Sequence, residues 1–460
     1  MVTFVAEKNH KSFMLIMKKT FTKLFSTVAL LSLLFISQSG YAQAVLAAAN
    51  TTAPSTTATV VADDTQKTDD KKAEKKADEP TAWTPVRRVW GYSFGDFYYN
   101  AHADAANRGA ETNYNGVPTY RNAFQLRRVY LGYDYDIDQK FSAELLLASE
   151  PSANTGVNGT TAIQNGDNLV DGKMGFFIKN IDLRWKGVWS GTDFVIGEMS
   201  TPAFSLLSEK VWGYRSIEKT VADFHKTNSY DVGAALQGVF DPATKNYGYN
   251  VMVGSNTGAS ILSAAAANTG FFKAFYGDVY AKFLNQTVVV DLYADYMKTA
   301  SRSAAVGAQA RNMVKGFVAY TTPKITFGLE AYTQKIANGV TNGTTHLAED
   351  ATVNAFSVYT HGTINPKLGF FARYDGYNPD TDYSEADTYT NNTNLSSYNA
   401  ATKERFVTAG LDFTPTKNVH FEPNVWFIQY QDQRPSTATG YVPDSHVLVY
   451  RLTFYFTFGK

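Results

Sequence analysis

The dominant pattern in this chain is an alternation of apolar and polar residues. The final segment shows it most clearly, with an apolar or aromatic side chain at every second position: Tyr450, Leu452, Phe454, Phe456 and Phe458. A period of two is that of a β-strand whose two faces meet different surroundings. Sixteen segments between residues 86 and 458 repeat this pattern. The pattern predicts an all-β protein with sixteen antiparallel strands.

The connections between these segments alternate between short turns and long loops. The short turns contain Pro, Gly, Asn and Asp, which suit turn geometry. The long loops cover approximately 101–123, 150–176, 200–229, 256–271, 298–311, 334–351, 378–403 and 431–445. Short periplasmic turns and long outer loops are typical of a transmembrane antiparallel β-barrel. A soluble β-sandwich array would also contain alternating strands, but it has no reason to keep this asymmetry. We therefore expect a barrel over 86–460 in the outer membrane of a Gram-negative bacterium.

Composition agrees with a barrel and excludes other classes. Aromatic residues make up 14% of the chain, and the formal net charge is zero. Beyond the N-terminal region the sequence contains no run of about twenty apolar residues, as a membrane-spanning helix requires. The neutral balance argues against nucleic acid as a partner. Outward aromatics beside the short turns predict an interfacial girdle in contact with lipid: Tyr135, Trp185, Phe240, Phe283, Tyr320, Phe413 and Phe458.

The N-terminal 85 residues contain two segments that do not belong to the barrel. Residues 1–42 show a lysine-rich start, a short apolar run and small residues before Ala42, and we interpret them as a signal peptide cleaved after Ala42. The lysines begin just after Met17, which favours Met17 as the true start. Residues 43–85 are rich in Ala and Thr and then in Asp, Lys and Glu. This composition predicts a disordered, charged periplasmic tail.

The third long loop, residues 201–229, combines apolar and charged residues in an unusual way. It contains Phe204, Trp212, Ile217 and Phe224 among other apolar side chains, although a loop exposed to water needs none of these. We expect the loop to fold into the barrel, where its charged residues would line a constriction: Glu209, Lys210, Arg215, Glu218, Lys219, Asp223 and Lys226. The alternative is that it packs on outer loops or at a subunit interface.

Several short motifs resemble the phosphate-selective porin family, which includes outer-membrane porins O and P. They are Arg127-Arg128-Val129-Tyr130-Leu131-Gly132, Gly197-Glu198 followed by Pro202, Asp231-Val232-Gly233, Phe371-Ala372-Arg373-Tyr374-Asp375 and Glu422-Pro423-Asn424-Val425. The resemblance implies a sixteen-stranded porin, commonly a homotrimer, that passes small hydrophilic solutes or anions and uses no cofactor. It also implies a basic pore wall, for which the inward positions offer Arg128, Arg184, Lys186, Lys282, Lys315, Arg373 and Arg451.

Signals for catalysis or metal binding are weak. The string Gly91-Tyr92-Ser93-Phe94-Gly95 matches a nucleophile elbow, but it lies within a strand rather than at a strand-to-helix turn. The histidines show no ligand spacing, so we predict no enzyme and no metal. Two other classes stay open: an adhesin or receptor that binds through its outer loops, and a barrel-anchored hydrolase. An acidic stretch over 380–387 could hold calcium or simply be a solvated loop.

Overall fold

A computed structural model of the chain describes residues 83–108, 114–150, 175–225, 227–256, 273–299, 301, 306–384, 390–393 and 398–459. The predicted signal peptide, most of the predicted tail and Lys226 lie outside these residues. Part of the acidic stretch over 380–387 lies outside them too.

Sixteen long strands form one antiparallel sheet. They are β1 (Arg87–His102), β2 (Asn122–Asp136), β3 (Phe141–Ser149), β4 (Phe177–Trp189), β5 (Thr192–Ser200), β6 (Tyr230–Val239), β7 (Tyr247–Gly254), β8 (Ala274–Phe283), β9 (Val288–Thr299), β10 (Gln309–Thr321), β11 (Ile325–Thr341), β12 (Ala348–Asn365), β13 (Leu368–Asn378), β15 (Thr402–Thr416), β16 (Val419–Asp432) and β17 (Ser445–Phe458). A two-residue strand, β14 (Thr390–Asn391), pairs with β11. Two short helices, α1 (Ser208–Trp212) and α2 (Val221–Phe224), lie between β5 and β6.

The sheet closes on itself. Each long strand pairs with the next along the chain, and β1 pairs with both β2 and β17. Gly91, for example, lies opposite Leu131 on one side and Phe458 on the other. Closure leaves no strand with an unpaired edge, which is the property that a sheet needs in order to span a membrane. The predicted class, a closed antiparallel β-barrel of sixteen strands, is confirmed.

The two faces of the strands follow the predicted alternation. On β9, Leu292 is 59% exposed on the outer surface, whereas its neighbours Asp291 and Tyr293 point inward and are each 1% exposed. The outward face is apolar around the barrel and forms a lipid-facing band. Six of the seven predicted girdle aromatics are exposed beside short turns, and Tyr135 is half-buried. Within the described residues, no helix combines the length and apolar composition that a membrane span requires.

One predicted loop is much shorter than expected. The sequence was interpreted as a loop over 334–351, but β11 continues to Thr341 and β12 begins at Ala348. The alternation of buried and exposed residues continues in β11 as far as Ile336, and the register with β12 then shifts between Ile336 and Val340. The composition of this hairpin resembles that of a loop, because it contains Asn338, Gly339 and several polar residues on its outer face. The short strand β14 pairs with β11 at Val340 and Thr341. Strand pairing therefore extends further here than composition suggested.

Candidate functional site

Loop three, residues 201–229 between β5 and β6, packs against inward-facing residues of the barrel strands. Its ends are joined by the backbone N–H of Thr201, which donates to the Ser229 carbonyl oxygen at 3.0 Å. Helix α1 ends at Gly213, whose φ of 70° is a left-handed conformation that glycine adopts without strain. Helix α2 begins after Thr220, whose hydroxyl oxygen accepts a hydrogen bond from the backbone N–H of Asp223. These local signals divide the loop into two short helices.

The apolar side of loop three packs against inward-facing residues of the barrel. The Trp212 ring meets Tyr359 of β12 edge-on, with the ring centroids 5.0 Å apart, and Tyr214 packs on Phe371 of β13 at 4.7 Å. Phe224 contacts Phe406 of β15. Trp212 is 1% exposed, and burial of such side chains contributes roughly 1.5–3 kcal/mol each. This packing accounts for the apolar residues that made the loop unusual in the sequence.

Arginines on the barrel hold the backbone of loop three. Their guanidinium groups donate to three carbonyl oxygens within one short stretch of the loop: Arg127 to Ser216, Arg451 to Ile217 at 3.1 Å, and Arg373 to Lys219. Arg373 and Arg451 point inward, as predicted, but they are buried under the loop rather than exposed on a pore wall. Lys315 is also buried, within 3.6 Å of Asp291 and Glu330 and 3.3 Å from the Ser208 hydroxyl. These three cations contact the loop or carboxylates, not water.

Two β-bulges place extra cations on the inner face, and strict alternation missed both. The register of β1 and β2 shifts between Phe94 and Gly95, so Arg127 and Arg128 both point inward. A second shift between β3 and β4 lets Lys179 point inward beside Asn180. The sequence contains a signal for each bulge. Two adjacent polar residues, Arg127-Arg128 in β2 and Lys179-Asn180 in β4, interrupt the alternation, so the apolar residues before and after them are no longer an even number of positions apart. A bulge inserts one residue and re-aims the side chains after it.

The two bulges bring cations to one carboxylate. Oε1 of Glu150 lies 2.8 Å from Nη1 of Arg128 and 2.5 Å from Nζ of Lys179, and it accepts a hydrogen bond from the Tyr130 hydroxyl at 2.7 Å. Burial works to raise the pKa of Glu150, but the two cations hold it well below its usual range. Arg128, which was predicted to line the pore, is therefore paired with a carboxylate that it shares with Lys179.

The remaining predicted wall cations are more accessible. Arg184 lies 3.1 Å from Asp193 with 32% of its side chain exposed, and Lys186 pairs with Asp136 with 36% exposed. Lys282 is half-buried on β8. Arg184 also donates to the Gln237 side chain at 2.8 Å. Accessible charge on the inner wall thus lies mainly on β4 and its neighbours.

Within loop three, Arg215 binds two carboxylates. Its Nη1 contacts Glu209 and lies 2.7 Å from Oδ2 of Asp223. Burial raises the pKa of Glu209 against the opposing effect of Arg215, whereas Arg215 and Lys219 hold the pKa of Asp223 below its usual range despite burial. The charge of Arg215 is therefore cancelled inside the loop. Of the three cations of the loop that the structure describes between Thr201 and His225, two remain outside this pairing, Lys210 and Lys219.

The other charged residues of loop three have distinct positions. Glu218 is buried, and its carboxylate accepts hydrogen bonds from Trp426 Nε1 and from the Lys219 backbone N–H, each at 3.0 Å. Burial lowers the pKa of Lys219. Lys210 is exposed and interacts electrostatically with Glu144 of β3 and Arg184 of β4. Among the described charged residues of the loop, only Lys210 is exposed, and partial desolvation still lowers its pKa.

Comparison with known proteins identifies the class of this fold. No protein-family model matches the chain, and no curated protein matches it. Among solved structures, the anion-selective porin from Comamonas acidovorans has a TM-score of 0.50 and 12% sequence identity, over 82% of this chain and all of that chain. The outer membrane channel DcaP of Acinetobacter baumannii has a TM-score of 0.52 and 11% identity, over 81% of this chain and 97% of that chain.

The chain therefore has the fold of outer-membrane porins. Its strands are closed into a barrel with an apolar outer band, which is how a β-sheet protein crosses a lipid bilayer. The protein is located in the cell outer membrane of a Gram-negative bacterium.

Proposed function

We propose that the protein is an outer-membrane porin that passes small hydrophilic solutes and ions by passive diffusion. The observation that carries the proposal is the asymmetry of loop three. The loop packs against most of the inner wall, from β5 to β13 and on β15–β17, while Lys210 is exposed towards β3 and β4. A loop held firmly around most of the wall and open beside β3 and β4 would leave a narrow water-filled passage, with Lys210 at its edge.

The passage would carry charges of both signs. Glu144 and Asp182 are half-buried on the inner face of β3 and β4, where they lie opposite each other in the sheet register. Lys210 and Arg184 supply the positive charge beside them. Opposed charges across a narrow, low-dielectric opening produce a transverse field. This arrangement supports a general channel, in which Lys210 favours anions and Glu144 and Asp182 favour cations, rather than the basic wall that phosphate selectivity would require.

Conductance measurements on the purified barrel in a planar bilayer test this function. We expect steady single-channel openings in the wild-type protein. In a salt gradient, Lys210→Gln should shift the reversal potential towards cation preference, and Glu144→Gln should shift it towards anion preference. The shifts should be largest in dilute electrolyte, because the Debye length is about 10 Å at 0.1 M and shortens as salt rises.

Lys417→Gln is the matched control, because Lys417 is an exposed lysine in the turn between β15 and β16. It should leave the reversal potential unchanged. Equal shifts in all three variants would mean that Lys210 and Glu144 do not border the passage. A bilayer that stays silent while the barrel is correctly folded would contradict the porin function and would favour an adhesin or receptor that acts through its outer loops.

Assembly as a homotrimer is the second part of the proposal, and it is supported by the resemblance to porins that commonly form trimers. Lipid would then cover only the part of the apolar band that the subunit contacts leave free. Chemical cross-linking of the protein in a mild detergent should give a band at three times the mass of one chain. A single-chain band at every cross-linker concentration would contradict the trimer.

A further inference from the structure

Three potential metal ligands meet at the periplasmic end of the barrel. Asp412 lies near the end of β15, and His420 and Glu422 lie near the start of β16, just beyond the turn at residues 417–418. One carboxylate oxygen of each acid and one imidazole nitrogen of His420 lie within 4.8 Å of one another. His420 and Glu422 are two residues apart, so both point inward from the same face of the strand. The turn brings Asp412 beside them.

A buried carboxylate oxygen of Glu422 without a hydrogen-bond partner in the described part of the chain is an independent observation that favours a ligand at this cluster. Glu422 is 1% exposed, and its Oε1 accepts a hydrogen bond from the Ser216 hydroxyl at 3.1 Å. Its Oε2 is buried and has no hydrogen-bond partner among the described residues. Leaving a buried acceptor unpaired costs about 1–3 kcal/mol, and more when the group is charged. Such groups in native proteins are usually paired with a donor, a water molecule or an ion.

The charge and the space around the cluster also suit a cation. Two carboxylates are held together, and Nδ1 of His420 lies 2.9 Å from Oδ1 of Asp412. Asp412 borders a cavity of about 390 Å³, whose other lining residues include Thr414, Tyr214 and His361. A cavity of this size has room for metal-bound water and for entry of an ion from the periplasmic side.

We propose that Asp412, His420 and Glu422 form a binding site for a divalent transition-metal ion, with Zn²⁺ as the best fit. One nitrogen and two oxygen donors suit Zn²⁺, whereas Ca²⁺ and Mg²⁺ prefer oxygen donors alone. Three protein ligands leave a fourth position for water from the cavity. Ligand atoms bound at about 2.0–2.2 Å lie closer together than the present upper limit of 4.8 Å. Binding would therefore need only small side-chain rotations that bring the three ligand atoms closer together.

The site would connect metal binding to loop three. The Tyr214 hydroxyl donates to Oδ2 of Asp412 at 3.3 Å, and the Ser216 hydroxyl donates to Glu422. Two of the three ligands are thus oriented by residues of the loop. Groups that orient the ligands commonly affect metal affinity 10–100-fold. By linkage, a bound ion would stabilise the contact between the loop tip and β15–β16.

Titration of the full-length, refolded barrel with Zn²⁺ after treatment with EDTA tests the site. Isothermal calorimetry should show one Zn²⁺ per chain. Glu422→Gln and His420→Gln should each weaken binding at least about tenfold. His361→Gln is the control, because His361 lines the same cavity but is not part of the cluster, and it should bind as the wild type does. Co²⁺ in place of Zn²⁺ should give a visible spectrum that is lost in both ligand variants.

Heat-modifiable migration in gels verifies that each variant is folded, and Asp412→Asn replaces any variant that is not. The proposal is overturned if the wild type does not bind Zn²⁺ at one ion per chain, or if the folded ligand variants bind it as tightly as the wild type. The result is independent of the proposed channel activity. A barrel that conducts ions but does not bind Zn²⁺ would contradict the metal site alone. A folded barrel that binds Zn²⁺ but shows no conductance would contradict only the porin function.

Discussion

Arg451, on the last strand, donates a hydrogen bond from Nη2 to the backbone carbonyl oxygen of Ile217, at 3.1 Å and across 234 residues of sequence. The same guanidinium donates to the Asn424 side chain at 2.8 Å, and it is 4% exposed. The group therefore holds a loop from the first half of the chain against the strand that closes the barrel. An arginine that sequence analysis assigned to the pore wall has a positioning role in the structure.

Replacing Arg451 with Gln should loosen loop three without unfolding the barrel. A hydrogen bond from a charged group contributes about 1.5–3 kcal/mol, and the Ile217 carbonyl would lose its donor. We expect faster proteolysis within 201–229 and noisier single-channel currents. Arg434→Gln is the control, because Arg434 pairs with Asp432 at the other end of β16. If both variants show wild-type proteolysis and currents, Arg451 does not hold the loop.

Docking of α2 should weaken at acid pH because of His225. Burial lowers the pKa of His225 to about 3, and Lys219 and Arg373 add to the shift. The ordinary value is 6.5, so the undocked loop takes up a proton below pH 6.5 while the docked loop does not. The contribution of neutral His225 to the docking free energy of α2 is fully present above pH 6.5, and it is lost progressively as the pH falls towards 3. Proteolysis of loop three, or current noise, should rise over that range.

His225→Phe should remove this pH dependence. The imidazole stacks on the Tyr377 ring with 3.4 Å between centroids, so Phe keeps the stacking and cannot be protonated. Nearby Glu404, whose Oε2 lies 3.8 Å from His225 Nε2, stays in place. His102→Phe, at a histidine that stacks on His446 away from loop three, should respond to pH as the wild type does. An unchanged pH response in His225→Phe would assign the effect to another group.

Phe458 should be required for efficient assembly. It is exposed on the lipid-facing side at the end of β17, and its ring lies over Gly91 of β1 at the closing seam. Phe458→Ser removes apolar area worth about 1.5–3 kcal/mol at a position where two strands must meet. We expect the yield in the outer membrane to fall several-fold. Phe413→Ser, at another girdle position, should reduce it less. Equal yields would show that the final strand is recognised by other residues.

Processing at the N-terminus is directly measurable. Cleavage after Ala42 predicts a mature chain that starts at Gln43, and intact-mass spectrometry of protein from outer membranes will show it. Substitution of Ala42 by Lys should block cleavage, because the enzyme requires a small residue before the cut. A mature protein that begins elsewhere would move the boundary of the signal peptide.

The charged segment 43–80 should be dispensable for insertion into the membrane. Its composition buries too little apolar surface to offset the entropy of ordering. A chain that lacks 43–80 but keeps the signal peptide should reach the outer membrane and show the same heat-modifiable migration as the full chain. Loss of the compact species would mean that this segment contributes to the barrel.

The strands and their faces could be predicted because lipid imposes a strict rule. A charge on the lipid side costs about 2–4 kcal/mol at mid-bilayer, so the sequence must alternate wherever the barrel crosses the membrane. The rule does not predict the bulges, where one extra residue interrupts the alternation and Arg127 points inward beside Arg128. Nor does it reach the hairpin of β11 and β12 beyond the lipid, which composition could not distinguish from a loop.

The interior was less predictable than the outer surface for a related reason. Alternation shows that Lys315, Arg373 and Arg451 point inward, but it cannot show which of them loop three covers. That depends on contacts between residues far apart in sequence, such as Arg373 with the Lys219 carbonyl. The pairing of Arg215 with Glu209 and Asp223 was within reach, since all three lie in one short segment. The cluster of Asp412, His420 and Glu422 could be recognised only once the register between β15 and β16 was known.

The pairing of β1 with β17 sets the order of events during folding. Gly91 and Phe458 are partners, so the ring cannot close until the last residues of the chain have been made and delivered. Contacts this distant in sequence form slowly, because the entropy of a very long intervening segment must be lost first. Until that moment both ends of the sheet expose unpaired N–H and C=O groups. A chain that lacks the final strand would therefore keep two unpaired strand edges, which favour aggregation over a smaller closed barrel.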